Sequence, residues 1–189
     1  TIILTFTLFS TAQTSLPYYS GFDNAQEQAG WQEYKLGINS DPYVWNISNF
    51  VAFSDPACLE HNYPVGGTQQ TDDWFVSPEF DFSDGATIDS LRYYFAGFGT
   101  PNNGDTIALY LLNGSDDPAL ASSKMVLYNF TDSNYMNDNV WRKMDEVVIP
   151  AISGKSHLAF RYTTVANWLD VRLDNLSITS LGTSGKAEL

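Results

Sequence analysis

Short stretches in which apolar and polar residues alternate recur along the chain, separated by clusters of Gly, Pro, Asn, Asp and Ser. A period of two is typical of a β-strand with one buried face, and no long segment has helical periodicity. Leu91, Tyr93 and Phe95 face one side of their segment, for example, and polar or aromatic neighbours face the other. The segment 157–162 alternates in the same way, which predicts a half-buried strand with one solvated face.

This pattern predicts at least eight strands. They are Tyr43–Phe53, Trp74–Phe82, Thr87–Phe98, Thr106–Leu112, Lys124–Phe130, Trp141–Ile149, Ser156–Thr163 and Leu169–Ser180. Turn signals such as Asn113-Gly114 lie between them. Strands of this number and spacing predict an all-β fold, a two-sheet antiparallel jelly-roll β-sandwich. The stretch Phe53–Thr71 predicts a long irregular loop, and loops of that length are usually functional or held by a ligand.

The two ends of the chain differ from the middle. The apolar run Ile2–Phe9, followed by the small residues Ser10 and Ala12, indicates the remnant of a secretory signal peptide over residues 1–12. The run is far shorter than the roughly 20 apolar residues that are needed to span a bilayer. The alternative interpretation is a first buried strand. The domain is predicted over 13–180, with a linker stub over 181–189. We therefore expect a secreted or cell-surface domain, monomeric within a larger protein and without a membrane span.

Composition narrows the classes of partner. The 189 residues suffice for one domain, and 9 Lys plus Arg against 22 Asp plus Glu give a net charge of −13. A chain this acidic repels phosphate backbones, so nucleic acid is not an expected partner. Cys58 is the single cysteine, which excludes an internal disulfide and any site made of several cysteines.

Several motifs occur in a characteristic order. They are GFD at 21–23, GW at 30–31, DDWFVSP at 72–78, GK at 154–155 with LAFRY at 158–162, and LDNL at 173–176. This order resembles the cleaved-adhesin or choice-of-anchor J domains of secreted Bacteroidetes-type surface proteins, over about residues 22–178. The resemblance implies a jelly roll similar to MAM domains and carbohydrate-binding modules, exported and associated with adhesion or ligand binding.

Acidic residues near predicted strand ends are candidate metal ligands. If the first and last strands pair, Asp23 approaches Asp174 and Asn175, and Asp72 and Asp73 are expected at the same rim. Converging carboxylates repel one another unless a cation neutralises them, and calcium accepts six to eight oxygen ligands in flexible geometry. The related jelly rolls commonly hold structural calcium, which the resemblance extends to this chain. The alternative is that these side chains bond their own backbone in turns.

A sugar-binding surface is the second candidate. Trp168 is the tryptophan most expected to be exposed, and its ring would stack on the apolar face of a sugar. Loop side chains that would frame the sugar with hydrogen bonds are Asn102, Asn103, Asn137 and Asp138. Most other aromatic residues are expected in the core, Trp74 among them.

Catalysis has little support in the sequence. Retaining glycosidases place two carboxylates about 5 Å apart, and no strand here carries the run of alternating acids that sandwich folds use for this. Cys58 and His61 are three residues apart in a predicted loop, which does not indicate an activated nucleophile. We therefore predict a non-catalytic binding or adhesion module that recognises a surface glycan or matrix protein. The alternatives are a structural spacer of a surface protein and an accessory carbohydrate-binding domain of a hydrolase.

Overall fold

The computed structural model describes residues 13–38, 44–63, 70–97, 99–132, 135–165 and 167–182. In this part of the chain there are thirteen β-strands and no helix, so nothing helical there could cross a membrane. The strands are β1 (Tyr18–Ser20), β2 (Gln32–Lys35), β3 (Trp45–Ser48), β4 (Cys58–His61), β5 (Asp73–Val76), β6 (Phe80–Phe82), β7 (Ala86–Gly97), β8 (Thr106–Asn113), β9 (Ser123–Asn129), β10 (Arg142–Lys143), β11 (Val147–Ile149), β12 (Ile152–Thr163) and β13 (Leu169–Ser180).

The strands form two antiparallel sheets, which confirms the predicted β-sandwich. The seven-stranded sheet has the order β10-β7-β13-β4-β3, with β1 also on β13 and β11 also on β7. The six-stranded sheet has the order β2-β5-β12-β8-β9, with β6 also on β12. Of the strands in the described part of the chain, the first pairs with the last, as predicted, since Ser20 lies opposite Leu176.

The main core lies between the sheets and follows the predicted alternation. Leu91 and Phe95 of β7 are fully buried, and they face Phe160 and Tyr162 of β12 in one apolar cluster. Strand propensity accounts for this packing, because aromatic side chains on alternate positions fill the space between two pleated surfaces. The buried side chains come from both sheets, and the removal of their apolar surface from water stabilises the packing of one sheet on the other.

The outer face of the six-stranded sheet is not the solvated face that was predicted. A second apolar cluster there contains Trp74, Val76, Leu112 and Ala159, with partly buried tyrosines packed against it. His157 on the same face is only 6% exposed. The prediction of a wet face for the strand 156–163 is therefore wrong, and Trp74 is buried outside the main core rather than in it.

The sequence pattern also missed or misplaced several elements. The predicted loop Phe53–Thr71 contains β4, all four residues of which are buried. It escaped prediction because its polar members are compensated by partners elsewhere in the chain, as described below. Strands β1 and β2 were not predicted, and the strand predicted over Tyr43–Phe53 is regular only at Trp45–Ser48. Three predicted features lie outside the described residues. They are the signal peptide remnant at 1–12, the start of the first predicted strand at Tyr43, and the linker stub at 183–189.

Candidate functional site

Several loops meet at one end of the sandwich, and we call this surface the Trp168 end. It comprises the loop 99–105, residues 135–139 and residues 167–168. The backbone N–H of Gly99 donates to the Trp168 carbonyl at 3.0 Å, and Asn167 Nδ2 donates to the Thr100 carbonyl at 2.7 Å. Asn137 Nδ2 donates to the Gly97 carbonyl at 2.8 Å. All the loops predicted to bind a sugar are therefore neighbours.

Trp168 is exposed, as predicted. Half of its surface, 51%, is accessible, and its ring lies 6.2 Å from the ring of Tyr63 at an angle of 32°. The side chain of Asn167 fixes the loop next to Trp168, since it donates to Asp105 Oδ2 at 2.5 Å as well as to the Thr100 carbonyl. A partly exposed indole on a braced loop presents a flat apolar surface at small entropic cost on binding.

The four framing residues differ in how available they are. Asn102 and Asn103 are exposed on the turn that Asp105 closes by accepting the Asn102 N–H at 2.7 Å. The amide of Asn137 is half-buried and bonded to backbone, so it supports the loop. Hydrogen bonds from Arg142 hold the pKa of Asp138 below its usual value, because the two side chains form an exposed ion pair.

Asp23, Asp174 and Asn175 meet where β1 joins β13, and with Tyr19 and Ser54 they form what we call the Asp23–Asp174 cluster. Asp174 Oδ2 accepts the backbone N–H of Ser54 at 3.0 Å, while Asp23 Oδ1 accepts a backbone N–H from the same loop at 3.1 Å. Asn175 Oδ1 lies 2.6 Å from the Tyr19 hydroxyl and 2.8 Å from the Ser54 hydroxyl. Of these residues, the sequence did not predict Tyr19 or Ser54 as part of this cluster. Ser54 lies in an irregular loop with no pattern to mark it.

The oxygen atoms of the cluster pack closely against Gly21. A Cβ atom placed on Gly21 would lie 2.8 Å from Asp23 Oδ2, 3.0 Å from Tyr19 Oη and 3.3 Å from Asn175 Oδ1. A side chain there would therefore displace three oxygen atoms that face one point. Residue 21 is glycine because those oxygens occupy its side-chain position.

The cluster is rich in negative charge. Burial raises the pKa of Asp174, backbone N–H groups of Ser54, Asn175 and Phe53 oppose that shift, and the charge of Asp23 adds to it. Neither Asp23 nor Asp174 forms an ion pair with a Lys, Arg or His among the described residues. The charge is thus balanced only by hydrogen-bond donors.

The other two predicted metal ligands lie elsewhere, because consecutive strand residues point to opposite faces. Asp72 makes a two-pronged ion pair with Arg161 on the outer face of the six-stranded sheet, at 2.7 and 3.0 Å. Asp73 points inward to His61 Nε2 at 3.1 Å. His61 ends β4, whose other end adjoins the Asp23–Asp174 cluster, so three residues, or about 10 Å, separate the two places. The prediction of one rim for all four aspartates is therefore wrong.

No set of three or more Asp, Glu, His or Cys side chains within the described ranges is arranged to hold a metal ion. The Asp23–Asp174 cluster has two carboxylates, and its remaining oxygens come from an amide and two hydroxyls. Such a mixed oxygen set suits calcium rather than a transition metal.

Cys58 and His61 do not form a reactive pair. They occupy opposite ends of β4, and because they are three positions apart they face opposite sides of the sheet. Burial raises the pKa of the Cys58 thiol to about 12, so it stays protonated at neutral pH. The pair therefore lacks both the thiolate and the contact that thiol catalysis requires.

No protein-family model matches the chain, and no curated protein matches it by sequence. Solved structures match by shape. The K1 cleaved adhesin domain of Lys-gingipain from Porphyromonas gingivalis W83 aligns with a TM-score of 0.59 and 18% identity, covering 89% of this chain and 100% of that domain. The K3 domain aligns with a TM-score of 0.51 and 23% identity, covering 80% and 92%.

Carbohydrate-binding modules are similar as well. The family 11 module of the cellulosomal cellulase Lic26A-Cel5E of Clostridium thermocellum aligns with a TM-score of 0.53 and 12% identity, covering 90% of this chain and 100% of the module. At these identities the likeness is one of fold, and the fold agrees with the resemblance drawn from the sequence motifs. The chain is thus a jelly-roll β-sandwich with the fold of the Lys-gingipain cleaved adhesin domains.

Proposed function

We propose that this chain is a non-catalytic, exported binding module that recognises a cell-surface or matrix glycan through its Trp168 end. The observation that carries the proposal is the half-exposed Trp168 ring, fixed on a loop whose neighbours are the exposed amides of Asn102 and Asn103. Sugar recognition combines an apolar platform with a few hydrogen-bonding groups, and this surface offers both.

Two further observations support a glycan over other ligands. Solved structures of similar fold include carbohydrate-binding modules as well as adhesin domains. The net charge of −13 disfavours polyanionic partners, so a neutral glycan fits this chain better than an anionic one. A matrix protein and a spacer role without any ligand are the competing outcomes of the test.

Replacing Trp168 with alanine is expected to weaken glycan binding at least about tenfold, because the platform contributes as a binding hot spot does. A glycan array would identify the ligand, and calorimetry would compare the variants. Val148→Ala is the control, since Val148 is 59% exposed but lies on β11, away from this end. A blank glycan array would contradict the proposal in favour of a spacer, and saturable binding to matrix proteins alone would contradict it in favour of protein recognition.

We further propose that the Asp23–Asp174 cluster binds a structural calcium ion. Asp23 and Asp174 would supply the charge, and Asn175 would supply a neutral oxygen. Hard oxygen ligands of this mixed kind match the preference of calcium, and the ion would remove the repulsion between two carboxylates that have no cationic partner.

Calcium is therefore expected to raise the melting temperature. With a dissociation constant of about 0.1 mM, about 1 mM calcium would stabilise the fold by roughly 1.4 kcal/mol, or about 3–6 °C for a domain of this size. Thermal melts with calcium and with chelator measure the shift. Asp174→Asn should abolish it, while Asp72→Asn, which alters the Arg161 ion pair instead, should keep it. An equal midpoint with and without calcium in the wild-type chain would rule the ion out.

A further inference from the structure

A groove of about 560 Å³ runs along the outside of the six-stranded sheet, away from the Trp168 end. Its walls come from the start of β2, with Gly30 and Gln32, and from the loop 114–116. Ser77 and His157 form its floor. This volume lies within the range of small-molecule sites.

His157 supplies a fixed hydrogen-bonding atom at the floor. The side chain is 6% exposed, and Nδ1 lies 2.9 Å from the carbonyl oxygen of Ser77. Because a carbonyl only accepts, Nδ1 must carry the proton, and in the neutral ring Nε2 is then an acceptor. Within the described residues, no hydrogen bond engages Nε2. A ligand in the groove would find an acceptor whose orientation is already set by the bond to Ser77.

The other residues that line the groove offer both hydrogen-bond donors and acceptors, and together they carry little net charge. Lys155 pairs with Glu79 at 3.2 Å, so their charges offset each other. The carboxylate of Asp116 remains, beside the exposed amide of Gln32 and the hydroxyl of Ser115. Hydroxyl groups donate and accept at once, so they suit a surface of this kind, while an anionic ligand would meet the charge of Asp116.

The groove continues into a second hollow of about 550 Å³. Thr14, Ala29 and Pro78 line both hollows, which makes them one surface. The second hollow reaches Tyr19, whose ring is 50% exposed and whose hydroxyl is held by Asn175 at 2.6 Å. An aromatic ring fixed in this way is a platform for the apolar face of a sugar.

We infer that this extended groove is a second glycan-binding site, which takes a linear, uncharged oligosaccharide. One sugar stacks on Tyr19, and a hydroxyl of another donates to His157 Nε2. The two hollows share Thr14, Ala29 and Pro78 and place Tyr19 and His157 in different parts of the surface, so it fits a chain of sugars rather than a compact molecule. The site is separate from the Trp168 end and does not depend on that surface binding a glycan.

The test uses the whole chain labelled with ¹⁵N and titrated with cellohexaose, xylohexaose and mannohexaose, with hexagalacturonate as the charged probe. The chain has two histidines, so the imidazole resonances of His157 can be compared directly with those of fully buried His61. We expect at least one neutral hexasaccharide to shift the His157 Nε2 and Gln32 amide resonances and to leave His61 unchanged. Gln32→Ala should weaken that binding, and Tyr19→Leu should weaken it by about tenfold.

Two variants at other places test whether the effect is specific to this groove. Val148→Ala, on β11 of the seven-stranded sheet, should retain binding, and Trp168→Ala should leave the His157 shifts intact. The inference is overturned if no neutral hexasaccharide moves His157 at millimolar concentration, if hexagalacturonate binds better than all three, or if Trp168→Ala removes the His157 shifts. A failure of the Trp168 end, by contrast, would appear as an unmoved Trp168 indole resonance with the His157 shifts preserved.

Discussion

Replacing Asp73 with alanine is expected to lower the free energy of unfolding by about 3–5 kcal/mol, because it leaves the buried His61 ring without its carboxylate. Both side chains are fully buried, and Asp73 Oδ2 lies 3.1 Å from His61 Nε2. The other ring nitrogen, Nδ1, lies 2.8 Å from the carbonyl oxygen of Asn62. Since the Asn62 carbonyl accepts the proton of Nδ1, a second proton lies between Nε2 and Asp73 Oδ2, and this buried hydrogen bond is lost when Asp73 is removed.

The surroundings leave little room for another group to replace the Asp73 carboxyl. The His61 ring stacks on Tyr162, with centroids 3.7 Å apart and planes 9° apart, and Trp45 packs against its edge. Water would have to enter between the two sheets to replace the lost carboxylate. The cost of the substitution is therefore that of an unpaired group in the core.

Urea denaturation would measure the loss, with the neighbouring residue as control. Asp72→Ala removes an ion pair with Arg161 whose side chains are 24–26% exposed, and it should cost about 1 kcal/mol, less than the loss of the fully buried pair. The double variant His61→Leu with Asp73→Leu should recover much of the single-variant loss, since two apolar side chains replace the pair. Equal losses for Asp72→Ala and Asp73→Ala would show that the buried pair has no special weight.

The same pair explains how far the sequence pattern predicts the fold. Strands β7 and β13 were predicted nearly in full, and β12 from Ser156 onward, because apolar residues recur there at every second position. Strand β4 was not, since Glu60 and His61 look like loop residues. Each is buried only because a partner reaches it: Arg172, distant in sequence, contacts Glu60, and Asp73 contacts His61. Local alternation holds no information about such pairing.

The candidate sites were also predicted only where local pattern and strand order were sufficient. Asp23 and Asp174 were brought together correctly because the pairing of the first and last strands follows from topology. Asp72 and Asp73 were misplaced although the period of two already separates neighbours onto opposite faces. The sugar groove was beyond prediction, because its floor joins Ser77 to His157, 80 positions away. Only the paired register of β5 and β12 brings those residues into contact.

The second large effect concerns Asp170, which shares Arg172 with Glu60 on the outer face of the seven-stranded sheet. Asp170 Oδ1 lies 3.3 Å from Arg172 Nη1 but forms no hydrogen bond, whereas Glu60 makes a short hydrogen bond to the same guanidinium. Burial raises the pKa of Asp170 to about 6, Arg172 opposes the shift, and the charge of Glu60 adds to it. The fold therefore holds two carboxylates against one cation.

A carboxyl group with a raised pKa destabilises the folded state once it ionises. Between about pH 4 and pH 6 the folded chain binds more protons than the unfolded chain, so this group's contribution to stability falls as the pH rises and is constant above the folded pKa. A shift of about two pKa units corresponds to about 3 kcal/mol, and partial relaxation around the group reduces this to about 1–3 kcal/mol.

Asp170→Asn is thus expected to stabilise the chain by about 1–3 kcal/mol at pH 7.5 and to have little effect near pH 4. Denaturation curves of both proteins across this range would show the difference growing as the pH rises through 6. Arg172 keeps its bond to Glu60 in the variant, so the guanidinium stays paired. Asp138→Asn is the control, because Asp138 is an exposed carboxylate whose pKa is lowered instead. Parallel stability curves for Asp170→Asn and wild type would contradict the assignment, since they would mean that Asp170 ionises as readily in the fold as in the unfolded chain.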